Sequence, residues 1–202
     1  MKIISKKNYR EASKILKNGG LVAFPTETVF GIGVVYDNKE SYDRLIEVKR
    51  RPPEKPFTLM CARKKDVYKY AYVNESAKKL IRAFFPGQFT IILKAKEDLP
   101  QWVKSEEGNV GIRVPDFSLA QKIIKKTKKP LLVPSANRSG EEPLTRYADV
   151  FKAFNFEIDA VVEGESTSNV PSTIVIIDKD VKIIREGLIT KEMINKVLED
   201  ER

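Results

Sequence analysis

Cations, hydroxyls and amides are concentrated in a few short segments of the chain. Residues 49–56 hold four cations and three prolines in eight residues. Pro52 disfavours α geometry for Arg51, so a preceding helix should end just before it, and Pro52-Pro53 keeps the backbone stiff. Cations on a stiff segment lose little entropy when they bind a phosphate. The alternative is that they simply favour the last turn of a helix, where the helix dipole attracts positive charge.

Two further segments, residues 25–31 and 134–140, combine hydroxyl and amide side chains with glycine and proline, and Ser172-Thr173 is a shorter example. Such groups orient a polar ligand by hydrogen bonds without adding charge. Turn formation alone also explains them. Because residues 25–31 follow the apolar run Leu21–Phe24, we expect them at the end of a buried strand, where open α/β sheets bind ligands.

Two arginines belong to predicted strands. Arg113 lies in the run Val110–Val114, and Arg185 ends the last predicted strand. A guanidinium on an apolar strand needs a partner, and a ligand carboxylate or phosphate held by two parallel hydrogen bonds is one candidate. The other is a salt bridge to Glu27 or another acid, and the sequence leaves both open.

The overall composition limits the classes of function. The chain has 202 residues, with 37 Lys+Arg against 28 Asp+Glu and a net charge of +9, which favours polyanionic ligands. It contains no histidine, which excludes histidine bases, Ser-His-Asp triads and histidine metal sites. Cys61 is the single cysteine and is predicted to be a buried, inert thiol. The length and the lack of a long apolar run predict one domain over 1–202, cytoplasmic and not bound to a membrane.

Apolar periodicity predicts strands and helices that mix without strict alternation. The fold class is therefore α/β, with a twisted mixed β-sheet flanked by helices. We predict helix caps at Asn8, Asn74, Thr145 and Thr190, and a loop over residues 25–33. The predicted strands are 2–4, 21–24, 57–62, 89–93, 109–114, 131–133, 160–162, 173–177 and 181–184. The predicted helices follow the caps and also cover 40–48, 64–70 and 118–126.

The residues then match a known family. The segments that carry the match are 24–33, 49–52 with 55–56, 85–87, 110–115, 134–140, 172–173 and 185–187. In this order the chain closely resembles the YrdC-like threonylcarbamoyl-AMP synthases. Single motifs are weak, whereas a full ordered set over nearly the whole chain is specific. The resemblance implies a YrdC-like fold, similar to double-stranded-RNA-binding proteins, with a basic concave groove.

The resemblance also implies a reaction. L-threonine, bicarbonate and ATP, the last with Mg²⁺, would give threonylcarbamoyl-AMP and pyrophosphate, the first step of tRNA threonylcarbamoyladenosine modification. No organic cofactor and no protein metal site are implied, and a downstream threonylcarbamoyl-transfer complex would act on the product. No covalent nucleophile is required, so the missing histidine is no obstacle, and catalysis would rest on positioning and charge neutralisation.

Matching positions assign the site residues. The implied catalytic tetrad is Lys49, Arg51, Ser135 and Asn137. The implied ATP ligands are Arg51, Lys55, Asn109, Ser135, Pro143 and Arg185. The implied threonine ligands are Thr28, Met60, Arg113, Val133 and Ser172. Phe30, Met60 and Pro143 depart from the common family residues, which affects fine substrate contacts and not the reaction class.

Two alternatives stay open at this stage. One is an RNA- or tRNA-binding relative without synthase activity, because a basic groove also attracts tRNA or double-stranded RNA. Against it, the basic cluster is interleaved with prolines more than with aromatic residues. The other is a relative that forms a carbamoyl adenylate from another carbamoyl donor, as in hydrogenase maturation.

Overall fold

Hydrogen bonding joins the strands into one mixed sheet. The structure is a computed structural model that describes residues 1–51, 56–178 and 180–200. The strands are β1 (Lys2–Ile4), β2 (Val22–Phe24), β3 (Gly31–Val35), β4 (Leu59–Met60), β5 (Phe89–Lys94), β6 (Asn109–Arg113), β7 (Leu131–Leu132), β8 (Ala160–Val162), β9 (Thr173–Ile177) and β10 (Val181–Arg185). Their order in the sheet is β1-β8-β2-β3-β7-β4-β6-β5-β9-β10. The predicted mixed sheet is therefore confirmed.

Helices pack on both faces of this sheet. They are α1 (Tyr9–Lys17), α2 (Lys39–Lys49), α3 (Val67–Tyr70), α4 (Glu75–Phe84), α5 (Ser118–Thr127), α6 (Tyr147–Phe154) and α7 (Lys191–Glu199). α1 and α5 share the smaller apolar cluster with Met60 and Val133. α2, α4, α6 and α7 contribute to the larger cluster. None of the described helices is both long and apolar enough to cross a bilayer.

The predicted caps have mixed outcomes. Asn74 and Thr190 accept hydrogen bonds from the first turns of α4 and α7, as expected. Asn8 occupies the N-cap position of α1, but its side chain makes no capping hydrogen bond. The Thr145 cap is wrong, because α6 begins at Tyr147 with Arg146 as its N-cap. α2 ends at Lys49, and Arg50 closes it with a left-handed φ of 49°.

The prediction of a loop over residues 25–33 is partly wrong, because Gly31 already belongs to β3. Two glycines hide this strand in the sequence, since glycine weakens the strand signal. Both are needed for packing: a Cβ on Gly31 would lie 2.4 Å from Val133 Cγ1, and one on Gly33 would lie 2.8 Å from Phe24 Cε1. β4 is also shorter than its predicted span of 57–62.

Strand register builds the platform of the site. Met60 of β4 pairs with Arg113 of β6, and the pairing of Ile91 with Ile112 brings Thr90 of β5 next to Arg113. Thr90 pairs in turn with Ile174 of β9, which pairs with Arg185 of β10. Residues directly opposite each other point to the same face of a sheet. Five adjacent strands therefore place one transverse row of side chains on the face that α1 and α5 share, because Met60 packs in their cluster.

Candidate active site

The row of side chains is the floor of a cavity of about 350 Å³. The loops after β2 and β7, together with residues 56–58, form its walls. Most of the predicted site residues line it. They are Thr28, Arg51, Met60, Arg113, Val133, Ser135, Asn137, Pro143, Ser172 and Arg185.

Arg113 and Glu27 form a buried ion pair at one side of the cavity. Arg113 Nη2 donates to Glu27 Oε1 at 2.7 Å and to Thr28 Oγ1 at 3.0 Å. The two residues are 6% and 7% exposed, so water screens the pair little. The salt bridge left open by the sequence is therefore formed. It does not satisfy the guanidinium, because Arg113 Nε is buried without a hydrogen-bond partner among the described residues.

Internal hydrogen bonds hold the loop that carries Thr28. The Thr26 hydroxyl donates to the Val29 carbonyl at 2.7 Å, and the hydroxyls of Thr26 and Thr28 are 2.9 Å apart. Both threonines are almost fully buried. The loop thus presents the Thr28 hydroxyl in a fixed position beside Arg113.

The opposite side of the row combines two hydroxyls with a second arginine. The hydroxyls of Thr90 and Ser172 are 2.9 Å apart, and Arg185 donates from Nε and Nη2 to the Ser172 carbonyl at 3.0 and 2.7 Å. Burial, and secondarily the nearby Arg113, lowers the pKa of Arg185. The two guanidiniums repel each other, and a bound anion would relieve this repulsion. The cavity therefore favours an anionic ligand.

Lys49 holds the loop after β7 by hydrogen bonds from its buried side chain. Its ammonium donates to the Ser135 carbonyl at 2.5 Å, to the Asn137 carbonyl, and to Asn137 Oδ1 at 2.9 Å. The Ser135 hydroxyl donates to the same Oδ1 at 2.6 Å. Lys49 is 2% exposed and does not line the cavity. The predicted tetrad members Lys49, Ser135 and Asn137 are brought together, with Lys49 holding the other two in place.

Burial has a marked effect on the charge of Lys49. Desolvation, followed by repulsion from Arg51 and Arg138, lowers the pKa of Lys49 from 10.5 to about 7. Arg138 itself does not line the cavity, because its guanidinium contacts the Val48 carbonyl, Glu157 and the ring of Phe154. The loop is thus fixed by cations on two sides.

Arg51 approaches the cavity from the end of α2. Its guanidinium lies 5.2 Å from the ring centroid of Phe57, and partial burial lowers its pKa. Lys55, the second cation predicted to bind phosphates, lies outside the described residues. Asn109 is not brought to this cavity: it begins β6, four residues before Arg113, or roughly 13 Å along a strand. Its predicted contact with ATP has no support from this geometry.

Sequence reasoning missed three polar lining residues, Thr58, Thr90 and Glu141. Thr90 is the most informative, because it is 2% exposed and bonded to Ser172. One signal was present in the sequence: Thr90 is the single polar residue in the run 89–93. Only the pairing of β5 with β6 and β9 places it in the row beside Arg113.

The charges of the cavity fit an anionic ligand. Arg51, Arg113 and Arg185 line it with a single acid, Glu141, among the described residues, and Glu27 lies behind the lining, paired with Arg113. Within the described ranges, no three Asp, Glu or Cys side chains come together as a protein metal site requires. The arrangement can hold a carboxylate and phosphates side by side and orient them with hydroxyls.

Comparisons with known proteins agree with this geometry. A sequence profile of the Sua5/YciO/YrdC family, described as "Telomere recombination", matches residues 14–187. The threonylcarbamoyl-AMP synthase of Vibrio campbellii is 32% identical over 188 residues, covering 90% of this chain and 100% of that protein. The putative threonylcarbamoyl-AMP synthase of Methanocaldococcus jannaschii is 36% identical over 191 residues, 90% of each chain.

A solved structure of a Sua5 protein is also similar to this chain. The crystal structure of P. abyssi Sua5 complexed with L-threonine matches with a TM-score of 0.93 at 30% identity. The match covers 98% of this chain and 61% of that chain, so the present chain spans about three fifths of the length of that Sua5.

Proposed function

The chain belongs to the Sua5/YciO/YrdC family, and from this membership we propose that it is a threonylcarbamoyl-AMP synthase. It would convert L-threonine, bicarbonate and ATP into threonylcarbamoyl-AMP and pyrophosphate. The two synthase relatives match nearly their whole length. The Sua5 matched in structure was crystallised with L-threonine. The cavity chemistry supports the proposal independently of these names.

The threonine subsite is assigned to the side of the cavity around Arg113. Glu27 fixes Nη2 of this guanidinium and leaves Nε, buried and unpartnered within the described residues, to receive the substrate carboxylate. Thr28 and Ser172 supply hydroxyls that can bond the threonine hydroxyl or the carbamate. Met60 and Val133 add apolar contacts beside them.

The ATP subsite is assigned to Arg51, Arg185, Ser135 and Pro143. The two arginines come from separate segments of the chain and can neutralise phosphate charge as it redistributes. Lys55 is expected to join them from the sequence alone. Mg²⁺ would enter as part of the substrate, bound to the triphosphate.

The reaction then needs only positioned substrates. The threonine amine and bicarbonate form a carbamate with release of water, and a carbamate oxygen then attacks the α-phosphorus of ATP. The new P–O bond forms as the bond to pyrophosphate breaks, and pyrophosphate leaves with the electron pair. Arg51 and Arg185 balance the charge that develops, while Lys49 keeps Ser135 and Asn137 in place beneath it.

One observation carries this proposal: three arginines from separate segments face one cavity, and the buried Nε of Arg113 lacks a partner among the described residues. The test is mass-spectrometric detection of threonylcarbamoyl-AMP from purified protein with ATP, Mg²⁺, bicarbonate and L-threonine. Each component is left out in turn. Product that requires every component supports the proposal. ATP binding without product refutes it and leaves the two alternatives, the RNA-binding relative and the relative that uses another carbamoyl donor.

The proposed product defines the proposed partners. Threonylcarbamoyl-AMP is an activated acyl adenylate, so a downstream transfer complex that modifies tRNA is expected to consume it. We expect this to occur in the cytoplasm, where tRNA is available. Direct binding of tRNA or double-stranded RNA to this chain is part of the same proposal and is measured separately.

A further inference from the structure

A second cavity, of about 280 Å³, shares no lining residue with the first. It lies where β4 ends and β7 begins: Met60 lines the first cavity, whereas Cys61, the next residue, lines the second. Cys61, Ala62, Ile124 and Pro130 give it an apolar base. The proposed synthase reaction uses none of its residues.

Cations dominate the rest of its lining. Five basic side chains face this cavity against one acid, Asp66. The five are Arg63, Lys69, Lys125, Lys128 and Lys129. Asp66 is bound by Arg63 at 3.0 Å, and Asp37 neutralises Lys129 at 2.6 Å. Lys69, Lys125 and Lys128 form no ion pair with any residue of 1–51, 56–178 or 180–200.

A helix dipole does not account for this cluster. It favours Lys125, which lies in the last turn of α5. Lys69 lies in the last turn of a different helix, α3, so no single dipole places it on the same cavity as Lys125. Lys128 has a left-handed φ of 67°, a conformation that glycine adopts without strain. Lys128 therefore combines an uncommon backbone conformation with a position beside two further lysines that line the same cavity.

We propose that this second cavity binds phosphate groups of a nucleotide through Lys69, Lys125 and Lys128. Like charges in one concavity favour a multivalent anion, and phosphate supplies several acceptor oxygens for ammonium donors. The nucleotide has two sources, a free nucleoside phosphate or an RNA strand, and both present the same phosphate chemistry. The proposal is independent of the proposed synthase activity, because it concerns binding at residues outside that cavity.

The test compares two double variants that change charge equally. Lys125→Glu/Lys128→Glu removes two cations of the second cavity. Lys126→Glu/Lys152→Glu removes two exposed lysines that line neither cavity. Each double variant lowers the net charge from +9 to +5, because each Lys→Glu change removes two units. Circular dichroism and thermal melting establish that both fold like the unmodified protein.

Binding is measured with ATP by calorimetry and with a single-stranded RNA oligonucleotide by fluorescence anisotropy over a range of salt. A free nucleotide as ligand predicts one more ATP site in the unmodified protein and the control variant than in the cavity variant, whether or not the first cavity binds ATP. An RNA strand as ligand predicts the same number of ATP sites in all three proteins. RNA binding would then be roughly tenfold or more weaker in the cavity variant than in the control, with a shallower salt dependence.

Loss of an ATP site or loss of RNA affinity in the cavity variant supports the proposal. Which of the two occurs identifies the source of the phosphate groups. If the cavity variant and the control match in both ATP stoichiometry and RNA affinity, the proposal is overturned. Neither readout requires catalysis, so failure of the synthase assay would leave this result intact.

Discussion

The buried side chain of Lys49 holds the loop after β7 in place by three hydrogen bonds. Lys49→Met keeps the length and the apolar stem of the side chain but removes its hydrogen bonds to Ser135 and Asn137. The Ser135 carbonyl keeps the bond from the Asn137 N–H, and Asn137 Oδ1 keeps the bond from the Ser135 hydroxyl. Among the described residues, only the Asn137 carbonyl is then left without a donor, which costs about 1–3 kcal/mol. We expect the free energy of unfolding to fall by about 1–3 kcal/mol at pH 9. Synthase turnover should fall about a hundredfold, because Ser135 and Asn137 lose their positions.

The contribution of Lys49 to stability should change with pH in a defined direction. The pKa of Lys49 falls from 10.5 in the unfolded chain to about 7 in the folded protein. Between these values the unfolded state binds more protons, so the contribution of Lys49 to stability increases as pH rises. The difference in unfolding free energy between the unmodified protein and Lys49→Met should therefore rise between pH 7 and 10.5. Its slope approaches about 1.4 kcal/mol per pH unit, and the difference is flat well below pH 7.

The assay is urea unfolding, followed by far-ultraviolet circular dichroism from pH 5 to 10. Lys39→Met is the matched control, because it removes an exposed lysine from the same helix. A difference that stays constant over the whole range would refute the reasoning. It would mean that the three oxygen acceptors compensate for burial and that Lys49 keeps its proton throughout.

The remaining predictions concern the threonine subsite. Arg113→Lys keeps a cation beside Glu27 but loses the forked guanidinium, so the KM for threonine should rise about tenfold or more in steady-state kinetics, with a far smaller change for ATP. Equal losses for both substrates would make Arg113 structural only. Glu27→Gln leaves the buried guanidinium uncompensated and should lower the free energy of unfolding by about 3–5 kcal/mol in urea. A loss near zero would contradict the buried ion pair. Thr90→Val removes the hydroxyl that contacts Ser172 and should raise the KM for threonine about tenfold, whereas Thr90→Ser should restore it. Identical KM values for the two variants would rule out a positioning role for this hydroxyl.

The sequence alone determined the fold class, the family and much of the cavity lining. Local patterns were sufficient because strands such as β2 and β8 are short, fully buried apolar runs and helices such as α4 carry caps that act within one turn. The family resemblance, now confirmed, rested on ordered motifs whose polar residues follow buried strands. Ser135 and Thr28 could be identified in this way before any contact was known.

Tertiary structure decided which partner each group has. The sequence could not choose between a ligand and Glu27 for Arg113, because the two residues are 86 positions apart and meet only when β2 and β6 join one sheet. β3 was missed in part because the role of its glycines is to let Val133 and Phe24 approach closely. The sequence grouped Lys49 with Ser135 and Asn137, but only the structure shows that Lys49 is buried and holds the loop without lining the cavity. Thr90 lies in the site because of the register in which β5 pairs with β9. That register depends on residues far away in the sequence, so the residues around Thr90 do not reveal it.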